Sequence, residues 1–262
     1  MSPRRGFTLI EMVAVLAVLA ILAGAIVPTV AQTLRDARAD SERKTLETIA
    51  GLVREQVRRN GNIPSPTGWA GALAVLSDLP VGRLSTNPDG WSRAFVPDPA
   101  WSPASTRPVG AGGWTQSPAA ADLVVSAPAH ARILVISDLN SDASASCRNM
   151  TAAQFSAVWD ELSGAPASCV ESATRALVRI NLATEFVEVV RNASAPLGPP
   201  APGWTLGGNV GSAVPLVALG TTSRWHLKGS RLGLVAGGAV VGEIVLRDPV
   251  SVTWDGTAWK GY

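Results

Sequence analysis

The first part of the chain is a long, uninterrupted apolar run. From Met12 to Val27 every residue is apolar or glycine, and mostly apolar flanks extend the run over residues 7–30. At about 1.5 Å of rise per residue, a helix of about 24 residues is long enough to cross the hydrocarbon core of a bilayer. Arg4 and Arg5 precede the run, and this placement favours a cytoplasmic N-terminus with the remainder exported. The pattern predicts a single transmembrane helix.

Beyond Ala31 the pattern becomes amphipathic. Apolar residues recur on one helical face, and pairs of opposite charge four residues apart support an exposed polar face. Asn60-Gly61 followed by Pro64 is a stop signal. We therefore predict one helix from about Phe7 to Arg59, whose second half, residues 31–60, packs on a domain. The apolar positions are Leu46, Ile49, Ala50, Val53 and Val57, and the charge pairs are Asp40–Lys44, Arg43–Glu47 and Glu55–Arg59.

Residues 61–262 have the pattern of an exported, β-rich globular domain. Short apolar runs alternate with clusters of Pro, Gly, Ser and Asn, which are typical of strands and turns. With the long helix, they predict an α+β fold in which a mostly antiparallel β domain packs on the amphipathic half-helix. Residues 97–120 and 192–212 are predicted to be loops, and Trp69–Leu79 a short helix. The predicted strands lie near Phe95 and at Leu123–Ser126, Arg132–Ser137, Arg175–Leu182, Glu185–Arg191, Val214–Leu219, Ser223–Lys228, Arg231–Val235, Val240–Arg247 and Val250–Trp254, the later ones forming an antiparallel run.

Cys147 and Cys169 flank a predicted short helix, Thr151–Leu162, for which Thr151 is the N-cap. If the domain is exported, the oxidising compartment favours a disulfide between the two cysteines. In the chain-entropy model such a bridge contributes about 3 kcal/mol. Two buried free thiols are the alternative. No catalytic cysteine is predicted, because no histidine is near either one in sequence.

The start of the apolar run carries a motif. In Arg5-Gly6-Phe7-Thr8-Leu9-Ile10-Glu11 a short basic leader ends in glycine, an aromatic residue follows, and an acid stands four residues later. This segment resembles the processing site of type IV pilins and type II secretion pseudopilins. The resemblance covers roughly residues 1–60. It implies that a prepilin peptidase cuts between Gly6 and Phe7, removes the leader 1–6 and methylates the new N-terminus at Phe7.

A secretory signal peptide is the competing interpretation of the same segment. Ala23-Gly24-Ala25 offers the small residues that signal peptidase requires. Two features argue against it. An acid such as Glu11 has no function in an ordinary signal peptide, and the helical pattern continues past residue 30.

Glu11 is costly inside a bilayer, where ionisable residues usually have a partner. Cleavage after Gly6 creates an α-amine, and a neighbouring subunit staggered along a helical bundle can place its Glu11 against that amine. Our hypothesis is that this pairing sets the register of assembly. The alternative is a side chain that reaches back to the cytoplasmic interface. Gly24 and Pro28 mark a further feature, since a proline within a helix removes a hydrogen bond and tends to kink it.

The composition gives little indication of catalysis or of nucleic-acid binding. The net charge of +2 provides no strong attraction to nucleic acid. The sequence has no Gly-x-Ser-x-Gly elbow, and its two histidines, His130 and His226, are far apart in sequence, with nothing that points to further metal ligands. A structural role is assigned to His226, which lies in a strand-like segment. Asp138, Asn140 and Asp142 alternate like the first ligands of a calcium loop, but the turn glycine and the closing glutamate are missing. Polar turn residues are the alternative, so no metal or other cofactor is predicted apart from this calcium candidate.

The resemblance implies a structural, non-enzymatic subunit of a pseudopilus or pilus. It implies a precursor in the inner membrane, with the N-terminus cytoplasmic and the domain periplasmic or extracellular, that is later incorporated into a filament. The implied partners are the bilayer, the prepilin peptidase, an inner-membrane assembly platform and other subunits. The alternative is a single-pass, membrane-anchored, exported ligand-binding protein that does not polymerise.

Overall fold

A single long helix forms the N-terminal part of the computed structural model. Helix α1 spans Leu9–Asn60. It ends at Gly61, whose φ is +60° and whose N–H donates to the Val57 carbonyl oxygen. Glycine reaches this left-handed conformation without steric cost, which explains the stop. The predicted C-terminal end of the helix is confirmed to within one residue. The structure describes residues 9–100, 114–115, 128, 130–142, 145–194, 202–206, 214–215 and 220–261.

The remaining described residues form short helices and short strands around the second half of α1. The helices are α2 (Trp69–Ser77), α3 (Val81–Ser85), α4 (Ala145–Arg148) and α5 (Ala152–Trp159). The strands are β1 (Asn62–Ile63), β2 (Ala94–Pro97), β3 (Trp114–Thr115), β4 (Arg132–Asp138), β5 (Arg175–Asn181), β6 (Phe186–Ala193), β7 (Gly203–Leu206), β8 (Val214–Pro215), β9 (Gly220–Leu227), β10 (Arg231–Ala236), β11 (Ala239–Val245), β12 (Val250–Trp254) and β13 (Trp259–Lys260).

Three main sheets build the β-rich part within the described residues. An antiparallel sheet of order β2-β4-β5 lies against α1, and β1 and β3 form a two-stranded ribbon. Two four-stranded sheets follow, of order β13-β12-β6-β9 and β11-β10-β7-β8. Strand β12 pairs with β6 in parallel, with Val250 opposite Val189. The α+β class is thus confirmed, with sheets that are mixed rather than wholly antiparallel.

Two expectations about the strands were wrong. The strands from residue 220 onward do not form one antiparallel run, because β10 and β11 belong to one sheet and β9 and β12 to the other. The predicted loop 192–212 contains strand β7, whose Trp204 is almost fully buried. The predicted strand Leu123–Ser126 lies outside the described residues.

The first core lies between α1 and the three-stranded sheet. All five apolar positions predicted on the amphipathic face are buried there, together with residues of α2, β2, β4 and β5. Hydrophobic burial at about 25 cal/mol per Å² makes this face the principal attachment of the helix. A second core fills the space around Trp204, Val189 and Val252, and a third lies around Phe155 and the two cysteines.

Strands β5 and β6 follow each other in sequence but belong to different sheets. A 3-10 turn, Ala183–Glu185, separates them, and its glutamate is buried. Glu185 accepts hydrogen bonds from the Nε and Nη2 atoms of Arg58 on α1, at 2.8 and 3.0 Å. The end of α1 therefore fixes the point at which the chain passes from one sheet to the next.

The predicted disulfide is present. Cys147 and Cys169 are bonded, with their Cα atoms 5.5 Å apart, and both are buried. The helix between them, α5, begins at a capping box in which Thr151 accepts from the Gln154 N–H and the Gln154 side chain accepts from the Thr151 N–H. The disulfide and the capping box together hold the segment between the two cysteines against β4.

Replacing both cysteines with alanine is expected to lower the free energy of unfolding by about 3 kcal/mol, because the bridge restricts the unfolded chain. Urea denaturation of the full chain in detergent measures the change. Reductant should bring the wild type to the level of Cys147→Ala/Cys169→Ala and leave that variant unaffected. Equal stability of the oxidised wild type and the variant would contradict the expectation.

His226 lies at the centre of the second core and is fully buried. Its ring meets Trp204 edge-on, with centroids 5.1 Å apart. Burial, reinforced by the positive charges of Arg191 and Arg224, lowers the pKa of His226 to about 3. The folded protein therefore holds this histidine neutral, in agreement with a structural role.

The contribution of neutral His226 to the free energy of unfolding is expected to be fully present above pH 6.5. It should fall as the pH is lowered toward 3. In that window the unfolded chain binds a proton that the folded chain does not, which favours unfolding by about 1.4 kcal/mol per pH unit. Urea denaturation between pH 7 and pH 4 should show this slope in the wild type. His226→Gln should lose that part of the slope, and an unchanged slope in the variant would contradict the assignment.

Candidate functional site

The apolar half of α1 is not covered by the described part of the chain. The large apolar side chains that the structure describes between residues 9 and 34 are each at least half exposed, up to 84% for Leu9. Exposing this many side chains to water costs on the order of tens of kcal/mol, at about 1.5–3 kcal/mol for each one. This half of the helix therefore requires a cover that the described residues do not provide. The exposed residues are Leu9, Ile10, Met12, Val13, Val15, Leu16, Val18, Leu19, Ile21, Leu22, Val27, Val30 and Leu34.

The structure describes only some of the N-terminal residues that the sequence singled out. Gly6 and Phe7 lie outside the described residues. Glu11 belongs to the first turn of α1. The helix is continuous through Gly24 and Pro28, so a bend at these positions stays a prediction. No helix within the described residues has both the length and the apolar character of a membrane span.

A buried ion pair fixes the second half of α1 to the globular part. Glu42 accepts from the Nε and Nη2 atoms of Arg93, at 2.6 and 2.9 Å, and both side chains are at most 2% exposed. The remaining guanidinium nitrogen of Arg93, Nη1, donates to three backbone carbonyl oxygens around α3, those of Arg83, Leu84 and Thr86. A single arginine thus ties together α1, the end of α3 and the start of β2.

Two further ion pairs hold the helix, one at Arg43 beside Glu42 and one at Arg58 near the end of the helix. Arg43 donates to Glu171 at 2.6 Å through Nη2, and this carboxylate raises the pKa of Arg43 above its usual range. Near the end of the helix, Arg58 donates to Glu185, and this carboxylate raises the pKa of Arg58 above its usual range. Exposed pairs such as Arg43–Glu171 contribute little individually. Together with the buried pair they connect α1 to the globular part at two places, residues 42–43 and residue 58.

Glu42 and Arg93 were not predicted from the sequence. A signal for Glu42 was present, because it stands four residues before Leu46 and so lies on the apolar face of the helix. An acid on a buried face requires a cationic partner. Nothing in the sequence names that partner, since Arg93 lies 51 residues away.

The calcium candidate residues are engaged with protein donors. Asp138 accepts from Arg175 Nη2 at 2.7 Å and from the Asn140 N–H at 2.9 Å. Asp142 accepts from the Ser92 N–H at 2.7 Å, which lowers the pKa of Asp142. Within the described residues, no group of three or more His, Cys, Asp or Glu side chains is placed to hold a metal ion. These contacts agree with the alternative of polar turn residues, and calcium binding has only the sequence pattern in its favour.

Comparison with known proteins identifies the N-terminal segment. Residues 1–27 match the family model described as the prokaryotic N-terminal methylation motif. The chain carries the type IV pilin and pseudopilin signature. The resemblance noted at the Gly6–Phe7 junction is thereby confirmed. Searches of curated proteins and of solved structures give no significant match to the chain.

The pilin signature indicates a pilin-like protein that a prepilin peptidase processes. Proteins of this kind are structural rather than enzymatic, and they are anchored in the membrane before they assemble with other subunits. The matched residues end within α1, so the signature and the exposed apolar half of the helix largely coincide. The signature lies on the part of the molecule whose apolar side chains the described residues leave uncovered.

Proposed function

We propose that this protein is a structural subunit, a pseudopilin or minor pilin, of a type II secretion pseudopilus or a type IV pilus. A prepilin peptidase removes residues 1–6 and methylates Phe7, and the mature subunit assembles through the N-terminal half of α1. The observation that carries the proposal is the methylation motif at residues 1–27, joined without a break to a helix whose apolar side chains are exposed.

The apolar half of α1 is covered first by lipid and, after assembly, by the helices of neighbouring subunits. Before assembly the apolar half of the helix lies in the inner membrane, with the N-terminus cytoplasmic and the globular part on the exported side. Lipid is as apolar as these side chains, so hydrophobicity does not drive the helix out of the bilayer. Close packing against neighbouring helices and the pairing of Glu11 with the Phe7 amine of another subunit supply the difference. An assembly platform in the inner membrane brings the subunits together.

The mass of the mature protein tests the proposal. The chain is expressed in a host that has a prepilin peptidase and in a matched host that lacks it. We expect the first product to begin at Phe7 and to carry one added methyl group, and the second to begin at Met1 or Ser2. An intact leader in both hosts, or a cut near Ala25, would overturn the proposal in favour of an anchored or secreted protein that does not polymerise.

A further inference from the structure

A cleft of about 280 Å³ lies where α1 passes from its exposed half to its buried half. The helix contributes Arg35 and Arg38 to one wall, and the loop after α3 contributes Asp89. The opposite wall consists of Leu139–Asn140, which follow β4, and Ala173–Thr174, which precede β5. Four separate parts of the chain thus line the cleft, and one of them, α1, contributes two arginines.

The charge of the cleft is positive. Asp89 is the one acid among the described residues that line it, and its carboxylate is 4.0 Å from Arg38 Nη1. Arg35 makes no ion pair with any residue that the structure describes. Two positive charges against one negative charge leave the cleft suited to one anionic group.

Neighbouring acids do not cancel this charge. Asp36 is adjacent to the cleft in sequence but does not belong to its lining. Asp40 is paired with Arg43 at 2.9 Å, and Asp142 accepts a hydrogen bond from the Ser92 backbone. Asp40 and Asp142 are therefore already engaged, as is Asp138, whose carboxylate is 2.7 Å from Arg175 Nη2.

If the protein has the function proposed above, the position of the cleft along α1 sets its depth relative to the membrane. Residues 12–34 carry no charge, and at about 1.5 Å per residue they span about 35 Å. The hydrocarbon core of a bilayer is about 30 Å thick. With Glu11 near the cytoplasmic side, Arg35 and Arg38 reach the head-group layer of the exported leaflet. The positive-inside tendency disfavours basic residues there, so their presence calls for a reason.

We propose that this cleft binds the phosphate of an anionic phospholipid head group in the exported leaflet. Arg35 and Arg38 are three residues apart and so lie on one face of the helix. Guanidinium groups match phosphate oxygens in shape and charge. Asn140 and Thr174, which also line the cleft, add an amide and a hydroxyl group for the hydroxyl groups of a glycerol head. Val30 and Leu34, both at least half exposed, precede the cleft and are available to the acyl chains.

Lipid retention by the full-length chain tests the site. The protein is reconstituted into nanodiscs made of equal parts phosphatidylcholine and phosphatidylglycerol, and native mass spectrometry counts the lipids that remain bound after release. We expect the wild type to retain phosphatidylglycerol over phosphatidylcholine by about tenfold, equivalent to about 1.4 kcal/mol. Arg35→Gln/Arg38→Gln should lose this preference. The control Lys44→Gln/Arg54→Gln removes the same charge from α1 beyond the cleft and should keep the preference.

Three results would overturn the proposal. The first is equal retention of the two lipids by the wild type, and the second is an equal loss in the control variant. The third is complete displacement of the lipid by inorganic phosphate, which would make the ligand a free phosphate. Flotation of the same samples separates this proposal from the function on which it rests. Normal flotation without lipid preference refutes the cleft alone, whereas failure to float with either lipid also refutes the membrane anchor.

Discussion

Replacing Glu11 with alanine is expected to leave leader removal and membrane insertion intact while reducing incorporation into filaments by more than tenfold. The proposed cleavage site is the Gly6–Phe7 bond, which the substitution does not alter. Insertion becomes easier rather than harder, because a carboxylate within the bilayer is replaced by an apolar side chain. The loss falls on assembly, the step at which the carboxylate is proposed to meet the Phe7 amine of a neighbouring subunit.

The size of the expected effect follows from the low dielectric constant around the pair. Removing one member of a buried ion pair typically costs about 3–5 kcal/mol, because the other charge is left without a partner. A tenfold change in an equilibrium corresponds to about 1.4 kcal/mol. An amine stranded among packed helices therefore suffices to exclude the variant from a filament, even when each apolar contact is retained.

The measurement is the amount of subunit in sheared filaments relative to the membrane fraction. Two further variants serve as comparisons. Glu11→Gln keeps the shape of the side chain without its charge and should behave like Glu11→Ala. Glu47→Ala removes an exposed acid from the same helix and should assemble normally. Wild-type filament levels of Glu11→Ala would remove Glu11 from the mechanism and leave a side chain that reaches the cytoplasmic interface.

Local signals in the sequence predicted the features that local interactions determine. The end of α1 follows from the glycine at position 61, and the start of α5 follows from Thr151, whose side chain caps the helix. The disulfide followed from the two cysteines and the expectation of export. Each of these features depends on residues close in sequence or on a chemistry that only one residue type provides.

Partners distant in sequence determine the features that were missed. Strand β7 lies within a stretch rich in Pro and Gly that reads as a loop, yet its Trp204 is buried beneath Arg191, whose guanidinium carbon is 4.2 Å from the ring centroid. The division of the later strands between two sheets similarly depends on β6, which pairs with β9 and β12 at once. Short strands have weak intrinsic preferences, so the neighbours that cover them decide their place.

The second large effect is expected at the buried pair that anchors α1. Replacing Arg93 with methionine should lower the free energy of unfolding by about 3–5 kcal/mol, because it leaves the Glu42 carboxylate charged and without its partner in the core. Three backbone carbonyl oxygens around α3 lose their donor in the same variant. Urea denaturation of the full chain in detergent measures the loss.

A matched pair on the same helix provides the control. Arg43 and Glu171 also join α1 to the globular part, but both side chains are about half exposed. Arg43→Met should therefore cost only about 0.2–1 kcal/mol. Similar losses for Arg43→Met and Arg93→Met would contradict the view that burial distinguishes the two pairs.

The double variant Glu42→Leu/Arg93→Met separates the charge from the packing. Removing both charges eliminates the stranded carboxylate, so the double variant should be more stable than Arg93→Met alone. Recovery should nevertheless be incomplete, since the carbonyl oxygens of Arg83, Leu84 and Thr86 still lack the Arg93 donor. The interaction free energy from this double-mutant cycle then measures the Glu42–Arg93 contact itself. Additive losses in the cycle would mean that the Glu42–Arg93 contact itself does not contribute to the attachment of α1.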